Sequence, residues 1–285
     1  MKESVRDFVD LTKPRITLMV LVTTTLGFLT AGGGQGLGTL GYALAGVGLL
    51  SAGASALNQV LERETDALMQ RTVDRPLPSG RLRPRHAMIF GIVLSLAGLG
   101  LLGLGVNLLT TLLGGLAFTS YVCVYTPLKR VTSLATLVGA VPGALPPVMG
   151  WTAAQGRLGI GAWVLFGMLF LWQLPHFLAI AWLYREDYAR GGFPMLPAID
   201  PDGRATARQA VLYGAALVPV SLLPTVAGLS GVPYLIGALT LSMTFLGGCI
   251  AFSISATNRT ARRLLMISLL YLPAVLATML LDRLV

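Results

Sequence analysis

The sequence predicts an all-helical membrane protein in which about nine apolar helices cross the bilayer. Of its 285 residues, 54% are hydrophobic and only 12% are charged, whereas a soluble domain carries about 25% charged residues. The charges are clustered, so apolar runs of about 20 residues, the length that crosses the hydrocarbon of a bilayer, recur along the chain. The 34 glycines agree with this class, because small residues let membrane helices pack closely.

Nine apolar runs account for most of the chain, and the short polar segments between them predict one membrane domain over residues 1–285. Each run is long enough for a membrane-spanning helix. The runs extend approximately over 16–32, 38–60, 87–106, 108–125, 134–152, 160–183, 209–229, 232–254 and 263–281.

The basic residues predict how these helices are oriented. If successive runs alternate in direction, 19 of the 21 Lys and Arg residues fall on one side of the membrane, and only Arg157 and Arg283 fall on the other. Lys and Arg accumulate in cytoplasmic loops, so the N-terminus is predicted to be cytoplasmic. This bias accounts for the net charge of +9 without a nucleic-acid partner. Eleven of the twelve acidic residues lie on the same side.

The N-terminal stretch and the cysteines indicate the compartment. "MKESVRDFVDLTKPR" is mixed in charge; it lacks the apolar core and cleavage site of a signal peptide and the acid-poor composition of an organelle transit peptide. These features favour the plasma (inner) membrane of a bacterium or archaeon. Cys123 and Cys249 lie inside apolar runs and indicate neither a disulfide nor a metal site.

An acidic stretch ends the second apolar run. Asn58, Glu62 and Asp66 recur every four residues, which places them at about 0°, 40° and 80° on one face of a helix. Amide and carboxylate oxygens are ligands that Mg²⁺ accepts, together with substrate phosphates, and Arg71 and Arg75 just beyond would suit phosphate oxygens. The alternative is a solvated helix end whose charges pair with one another.

A second polar stripe closes the sixth run. Helical spacing places Gln173, His176, Tyr184 and Asp187 on one face. Polar groups inside a membrane usually face the bundle interior or a functional site. We therefore interpret the two stripes as two walls of one cavity at the cytoplasmic end of the bundle.

A basic segment, "YTPLKR" (125–130), ends the fourth run with Lys129 and Arg130. These two residues are either orientation signals only or a second cationic group at the same cavity. Cations around a metal at the mouth of an apolar bundle fit a lipid diphosphate. Stabilising the departing diphosphate would leave an allylic carbocation, which is the chemistry of prenyl transfer.

Several of these stretches resemble the UbiA superfamily of intramembrane prenyltransferases. The stretch "LWQLPHFLAIAWLYREDYARGGFPMLP" is the most specific and resembles the branch of the superfamily that farnesylates protohaem IX. Glu62 is a departure, since the family usually has Asp there, and its longer side chain would shift the metal. The other matching stretches are "LTKPRIT", "MQRTVDRPLPSG", "YTPLKRVTS" and "GAVPGALPPVMGW".

The resemblance implies a UbiA-type bundle with a cytoplasmic-facing active site. It implies Mg²⁺-dependent transfer of the farnesyl group of farnesyl diphosphate to the 2-vinyl group of haem B, with addition of water. The product, haem O, serves haem-copper oxidases, which makes haem A synthase or the terminal-oxidase assembly machinery the implied partners. The residues implied to be catalytic and to hold metal and diphosphate are Asn58, Glu62, Asp66 and Asp187. Those implied to bind the substrates are Arg71, Arg75, Lys129, Arg130, Arg185, His176, Tyr125 and Tyr184.

The sequence is compatible with alternatives. His176 either bonds to a neighbouring helix or contacts haem, as an iron ligand or as a general base for the added water. The chain as a whole could be a prenyltransferase for a quinone precursor or another ring, or a transporter of lipid or haem that uses the acidic stripes as a proton path.

Overall fold

The computed structural model describes residues 4–32 and 34–282, and helices are the only regular secondary structure in these ranges. Lys2 and Arg283, which were counted in the charge bias, lie outside the described residues. The helices are α1 (Val5–Leu11), α2 (Pro14–Thr30), α3 (Gly36–Asp66), α4 (Pro84–Gly105), α5 (Leu108–Thr119), a π-helical segment (Ser120–Tyr125), α6 (Thr126–Leu128), α7 (Ala135–Gln155), α8 (Ile160–Leu183), α9 (Arg185–Arg190), α10 (Leu196–Ile199), α11 (Arg204–Val226), α12 (Val232–Ile254) and α13 (Asn258–Leu281).

The predicted all-helical, multi-pass architecture is confirmed. Eight helices in the described part of the chain are long and apolar enough to cross a membrane, counting α5 to α6 as one continuous helix, Leu108–Leu128. The shorter α2 is a ninth apolar helix. The helix α3 continues past residue 60, where the apolar run ends, to Asp66. Hydropathy marks only the part of a helix inside the hydrocarbon, so it misses charged turns that continue the same helix.

Neighbouring helices approach closely where glycines replace larger residues. A β-carbon at Gly27 of α2 would lie 1.9 Å from the carbonyl oxygen of Pro147 in α7, and one at Gly150 of α7 would lie 1.9 Å from that of Thr24 in α2. No side chain fits between these backbones, so the glycines permit the contact, as expected for membrane helices.

The main core lies among α7, α8 and α11–α13. Its large buried side chains include Trp151, Met168 and Phe245. Large apolar side chains also cover the outside of the bundle, as Leu104 and Ile254 show. An exposed apolar surface is unfavourable in water but suits contact with lipid.

Candidate active site

The polar stripe of α3 is buried. The fraction of the residue exposed to solvent is 1% for Asn58, 4% for Glu62 and 1% for Asp66. Glu64 lies between them in sequence but turns away: its side chain is 78% exposed and pairs with Arg63. The i, i+4 spacing therefore separates an inward-facing set from an exposed neighbour, as helix geometry requires.

Three cations from three different segments contact this stripe, one for each of its members. A buried charge is stable only when it is paired, so these contacts explain how two carboxylates are held inside the bundle. The contacts are Lys13 Nζ to Asn58 Oδ1 (3.0 Å), Lys129 Nζ to Glu62 Oε1, and Arg75 Nη1 to Asp66 Oδ2 (2.7 Å).

Lys13 was not predicted to belong to the site. It is the one non-glycine residue with a positive φ, 47°, among the described residues, and the following Pro14 begins α2. Burial, followed by the charges of Arg75 and Lys129, lowers the pKa of Lys13 to about 7, although Glu62 and Asp66 oppose this shift. The sequence signal is a lysine directly before the proline that opens the first span. In the charge bias this lysine indicates only how the helices are oriented.

The short helix α1 fixes the position of Lys13. Gln59 of α3 donates through Nε2 to the carbonyl oxygen of Leu11 at 2.9 Å. Arg81 pairs with Asp7 at 2.9 Å, and the rings of Phe8 and Phe90 meet edge to face at 5.1 Å. Contacts to α3, to the loop after it and to α4 thus attach α1 to the polar end of the bundle.

Lys129 reaches the stripe because the helix changes its winding just before it. The π-helical segment Ser120–Tyr125 precedes α6, and one extra residue in a turn rotates everything that follows. Lys129, 12% exposed, lies over the ring of Tyr125 at 4.9 Å. Burial alone would lower the pKa of Lys129, but Tyr125 and the Glu62 carboxylate raise it above its ordinary value.

The next residue, Arg130, faces another way. Its guanidinium donates to the carbonyl oxygen of Leu61 at 2.8 Å from an exposed position. The predicted basic pair therefore divides into one buried cation beside Glu62 and one cation on the surface of α3.

Asp187 connects α9 to the loop that follows α3. Its carboxylate accepts the backbone N–H groups of Gln70 (3.1 Å) and Arg71 (3.3 Å) and pairs with Arg190. Burial would raise the pKa of the Asp187 carboxyl group. The hydrogen bond from Arg190, followed by those from Gln70 and Arg71, outweighs this effect, so the pKa lies below its ordinary value. The backbone of Gln70 and Arg71 thus links the end of the α3 stripe to Asp187.

Arg71 lies in the same junction. Its guanidinium carbon lies 4.9 Å from the ring centres of both Tyr184 and Tyr188, and it donates to the hydroxyl of Tyr188 at 3.0 Å. The two tyrosines hold the guanidinium in place through cation–π contacts.

The predicted second stripe is divided, because α8 ends at Leu183 and Asp187 belongs to the separate helix α9. Its two members within α8 face other helices. Gln173 donates to the carbonyl oxygen of Ala140 in α7 at 2.8 Å. His176 Nδ1 lies 2.7 Å from Ser268 Oγ in α13, and Arg185 donates to Asn258 Oδ1 at 2.9 Å at the start of α13. His176 therefore makes the helix-to-helix bond of the first alternative, and any contact with a ligand would use its Nε2.

The comparisons with known proteins decide the family. The model of the UbiA prenyltransferase family matches residues 20–280. The chain belongs to the UbiA prenyltransferase family. It is 50% identical over 288 residues to the Protoheme IX farnesyltransferase of Solibacter usitatus (strain Ellin6076), an alignment that covers 98% of this chain and 99% of that one.

Solved structures show the UbiA fold. A structure of digeranylgeranylglyceryl phosphate synthase superimposes with a TM-score of 0.82 at 17% identity and covers 99% of both chains. A UbiA homologue from Archaeoglobus fulgidus, bound to DMAPP and Mg²⁺, gives a TM-score of 0.64 at 15% identity and covers 96% of this chain and 99% of that one.

The oxygen donors of this UbiA prenyltransferase fit Mg²⁺. Within residues 4–32 and 34–282 no three His, Cys, Asp or Glu side chains form a metal site by themselves. Mg²⁺, however, is usually held by one or two carboxylates together with substrate phosphates. Glu62, Asp66 and the Asn58 amide supply such a set. Asp187, whose oxygens accept backbone N–H groups, stays a prediction as a metal ligand.

Proposed function

We propose that this UbiA prenyltransferase transfers the farnesyl group of farnesyl diphosphate to the 2-vinyl group of haem B, with addition of water, and so forms haem O. The observation that carries the proposal is the buried cluster of Asn58, Glu62 and Asp66 with its three cations. The end-to-end match to a protein named Protoheme IX farnesyltransferase selects the substrates.

The three cations receive the diphosphate. Lys13, Arg75 and Lys129 converge on the α3 stripe, and phosphate oxygens can replace protein oxygens as their partners. Hydrogen bonds between charged partners are about twice as strong as neutral ones, and they strengthen further where water is excluded. The cluster lies at the polar end of an apolar bundle, which suits a substrate with a charged head and a hydrocarbon chain.

Mg²⁺ held by Asn58, Glu62 and Asp66 would neutralise charge that develops on the departing diphosphate. Asp187 is retained in the proposed metal and diphosphate set, where it also fixes the backbone of Gln70. The remaining proposed substrate-binding residues, for diphosphate or haem propionates, are Arg71, Arg130, Arg185, His176, Tyr125 and Tyr184.

A reconstitution tests the reaction. Purified protein is incubated with haem B, farnesyl diphosphate and Mg²⁺, and the haem is then analysed by mass spectrometry. We expect a farnesylated, hydrated haem and one released diphosphate per product. Farnesylation of a quinone precursor but not of haem would reassign the acceptor, and movement of haem or lipid without diphosphate release would identify a transporter.

We further propose that this site faces the cytoplasm from the inner membrane and that the N-terminus is cytoplasmic. The support is the segregation of 19 of the 21 basic residues to one side. Reporter fusions after Gly80, Arg130 and Asp202 should all read cytoplasmic. One periplasmic reading at these positions would contradict the orientation.

A further inference from the structure

A second cluster of positive charge lies at the start of α13, apart from the α3 stripe and its three cations. Arg259, Arg262 and Arg263 follow the i, i+3, i+4 spacing of one helical face. With Asn258, Met266 and Ile267 they line an open cavity of about 720 Å³. The cavity is therefore cationic at one end and apolar one turn further along the helix.

This charge has no ion-pair partner among residues 4–32 and 34–282. The sequence has no acidic residue between Asp202 and Asp282. A fourth cation, Arg185, is bonded to Asn258 at the edge of the same cavity. In the active site, by contrast, Arg75 and Lys129 each have a carboxylate partner.

The surface next to the arginines is apolar and faces outward. Met266, Leu269 and Leu270 are 57%, 48% and 67% exposed, whereas Ser268 and Leu264 on the opposite face are buried against the bundle. The arginines thus lie at the polar end of α13, and exposed hydrocarbon surface begins in the following turns. A two-chain lipid has the same order, with a charged phosphate above two acyl chains.

We propose that this open cavity, lined by Arg259, Arg262, Arg263, Met266 and Ile267, binds an anionic phospholipid. The phosphodiester takes the three guanidiniums, which suit phosphate oxygens, and the acyl chains cover the apolar side of α13. Basic pockets at the cytoplasmic end of membrane helices bind anionic head groups in this way. A free phosphate would use the cations but leave the apolar wall uncovered.

The test counts bound lipid by native mass spectrometry of the full chain in detergent, with added phosphatidylglycerol or phosphatidylcholine. The variant Arg259→Gln/Arg262→Gln/Arg263→Gln is compared with Arg15→Gln/Arg85→Gln/Arg208→Gln, which loses the same charge elsewhere. Each arginine near a membrane surface contributes roughly fivefold to anionic lipid binding, so we expect about a 100-fold loss for the first variant. The second variant should bind as the unaltered protein does.

Measurements on the unaltered protein keep the proposal testable if the variant misfolds. Phosphatidylglycerol binding should fall as salt rises, and inorganic phosphate at the same concentration should not displace the lipid. Equal binding of the two lipids, equal loss in both variants or full displacement by phosphate would overturn the proposal. Farnesyl transfer in lipid-free detergent should be the same in the α13 variant, so a failed lipid test leaves the proposed reaction unaffected.

Discussion

The polar stripes of α3 and α8 have similar sequence patterns but different partners. On α3, Glu62 and Asp66 are paired with cations that come from the residue directly after α6 and from the loop after α3. On α8, Gln173 and His176 bond to a backbone carbonyl and to a serine hydroxyl in the adjacent helices. The first set of contacts is ionic and draws distant segments together, whereas the second set joins neutral groups of neighbouring helices.

This difference follows from charge. An ionised carboxylate in a bundle needs a cation, so Glu62 and Asp66 of α3 each pair with a cation from another segment. A neutral amide or imidazole needs only a hydrogen-bond partner, which any neighbouring helix supplies. These cations can exchange the protein carboxylates for the oxygens of an anionic substrate. The α3 stripe is therefore the one we expect to dominate transfer.

The largest effect should come from Asp66→Asn. The change keeps the shape of the side chain but removes the charge that pairs with Arg75 and serves the proposed metal. Loss of one such electrostatic contact lowers turnover by about 10²–10³-fold, and we expect the protein to stay folded. Turnover is measured over a series of Mg²⁺ concentrations, with the exposed Glu64→Gln as the matched control. Near-normal turnover of Asp66→Asn at limiting Mg²⁺ would show that Asp66 is not a metal ligand.

The next largest effect should come from Lys13→Gln. A hydrogen bond to a charged group contributes about 1.5–3 kcal/mol, so the KM for farnesyl diphosphate should rise about 10- to 100-fold. The exposed Arg15→Gln loses the same charge two residues away and should have little effect.

The pH profile of the same pair sharpens this test. Because the pKa of Lys13 is lowered to about 7, Lys13 loses its charge as the pH rises through 7. The KM for farnesyl diphosphate should therefore increase above that pH in the unaltered protein. This part of the rise should be missing in Lys13→Gln. Identical profiles would mean that Lys13 does not contact the diphosphate.

Smaller, opposite effects should separate the two stripes. Glu62→Gln should weaken farnesyl diphosphate binding and leave haem binding unchanged, whereas His176→Ala should weaken haem binding or slow haem turnover and leave farnesyl diphosphate binding unchanged. His176 lies seven residues before the end of α8 at Leu183, which is roughly 10 Å along the helix and too deep for a diphosphate at the surface. Both binding constants are measured for both variants.

Ser268→Ala is the control for His176. It removes the hydroxyl bonded to Nδ1 but keeps the imidazole, and one neutral hydrogen bond contributes about 1 kcal/mol to stability. If Ser268→Ala reproduces the haem defect of His176→Ala, the histidine acts only through the helix contact. If Glu62→Gln and His176→Ala weaken the same substrate, the stripes do not divide the two substrates.

The smallest effect should come from Asp7→Asn, which weakens the ion pair that attaches α1 to the loop after α3. A partly exposed ion pair contributes about 0.2–1 kcal/mol, so the KM for farnesyl diphosphate should rise by at most about fivefold through displacement of Lys13. The nearby Asp10→Asn serves as the control. An effect as large as that of Lys13→Gln would mean that α1 does more than position this lysine.

The sequence by itself determined the features that depend on local spacing. Apolar runs predicted the helices, and the i, i+4 recurrence placed Asn58, Glu62 and Asp66 on one face. These conclusions need only the 3.6-residue period of a helix. The motif resemblance likewise identified the family that the match over residues 20–280 shows.

Only the tertiary structure decided which faces meet. Lys13 is 45 residues from Asn58 in sequence, and Asp187 is 117 residues from Gln70. The Lys-Pro pair before α2 is a local pattern, but only packing shows that this lysine meets the α3 stripe. Likewise, Gln173 and His176 share a helical face but bond to α7 and α13 respectively, because a helix enclosed by several neighbours presents one face to more than one of them. The period of a helix fixes the direction of each side chain from its own axis, and packing of the whole bundle fixes what lies in that direction.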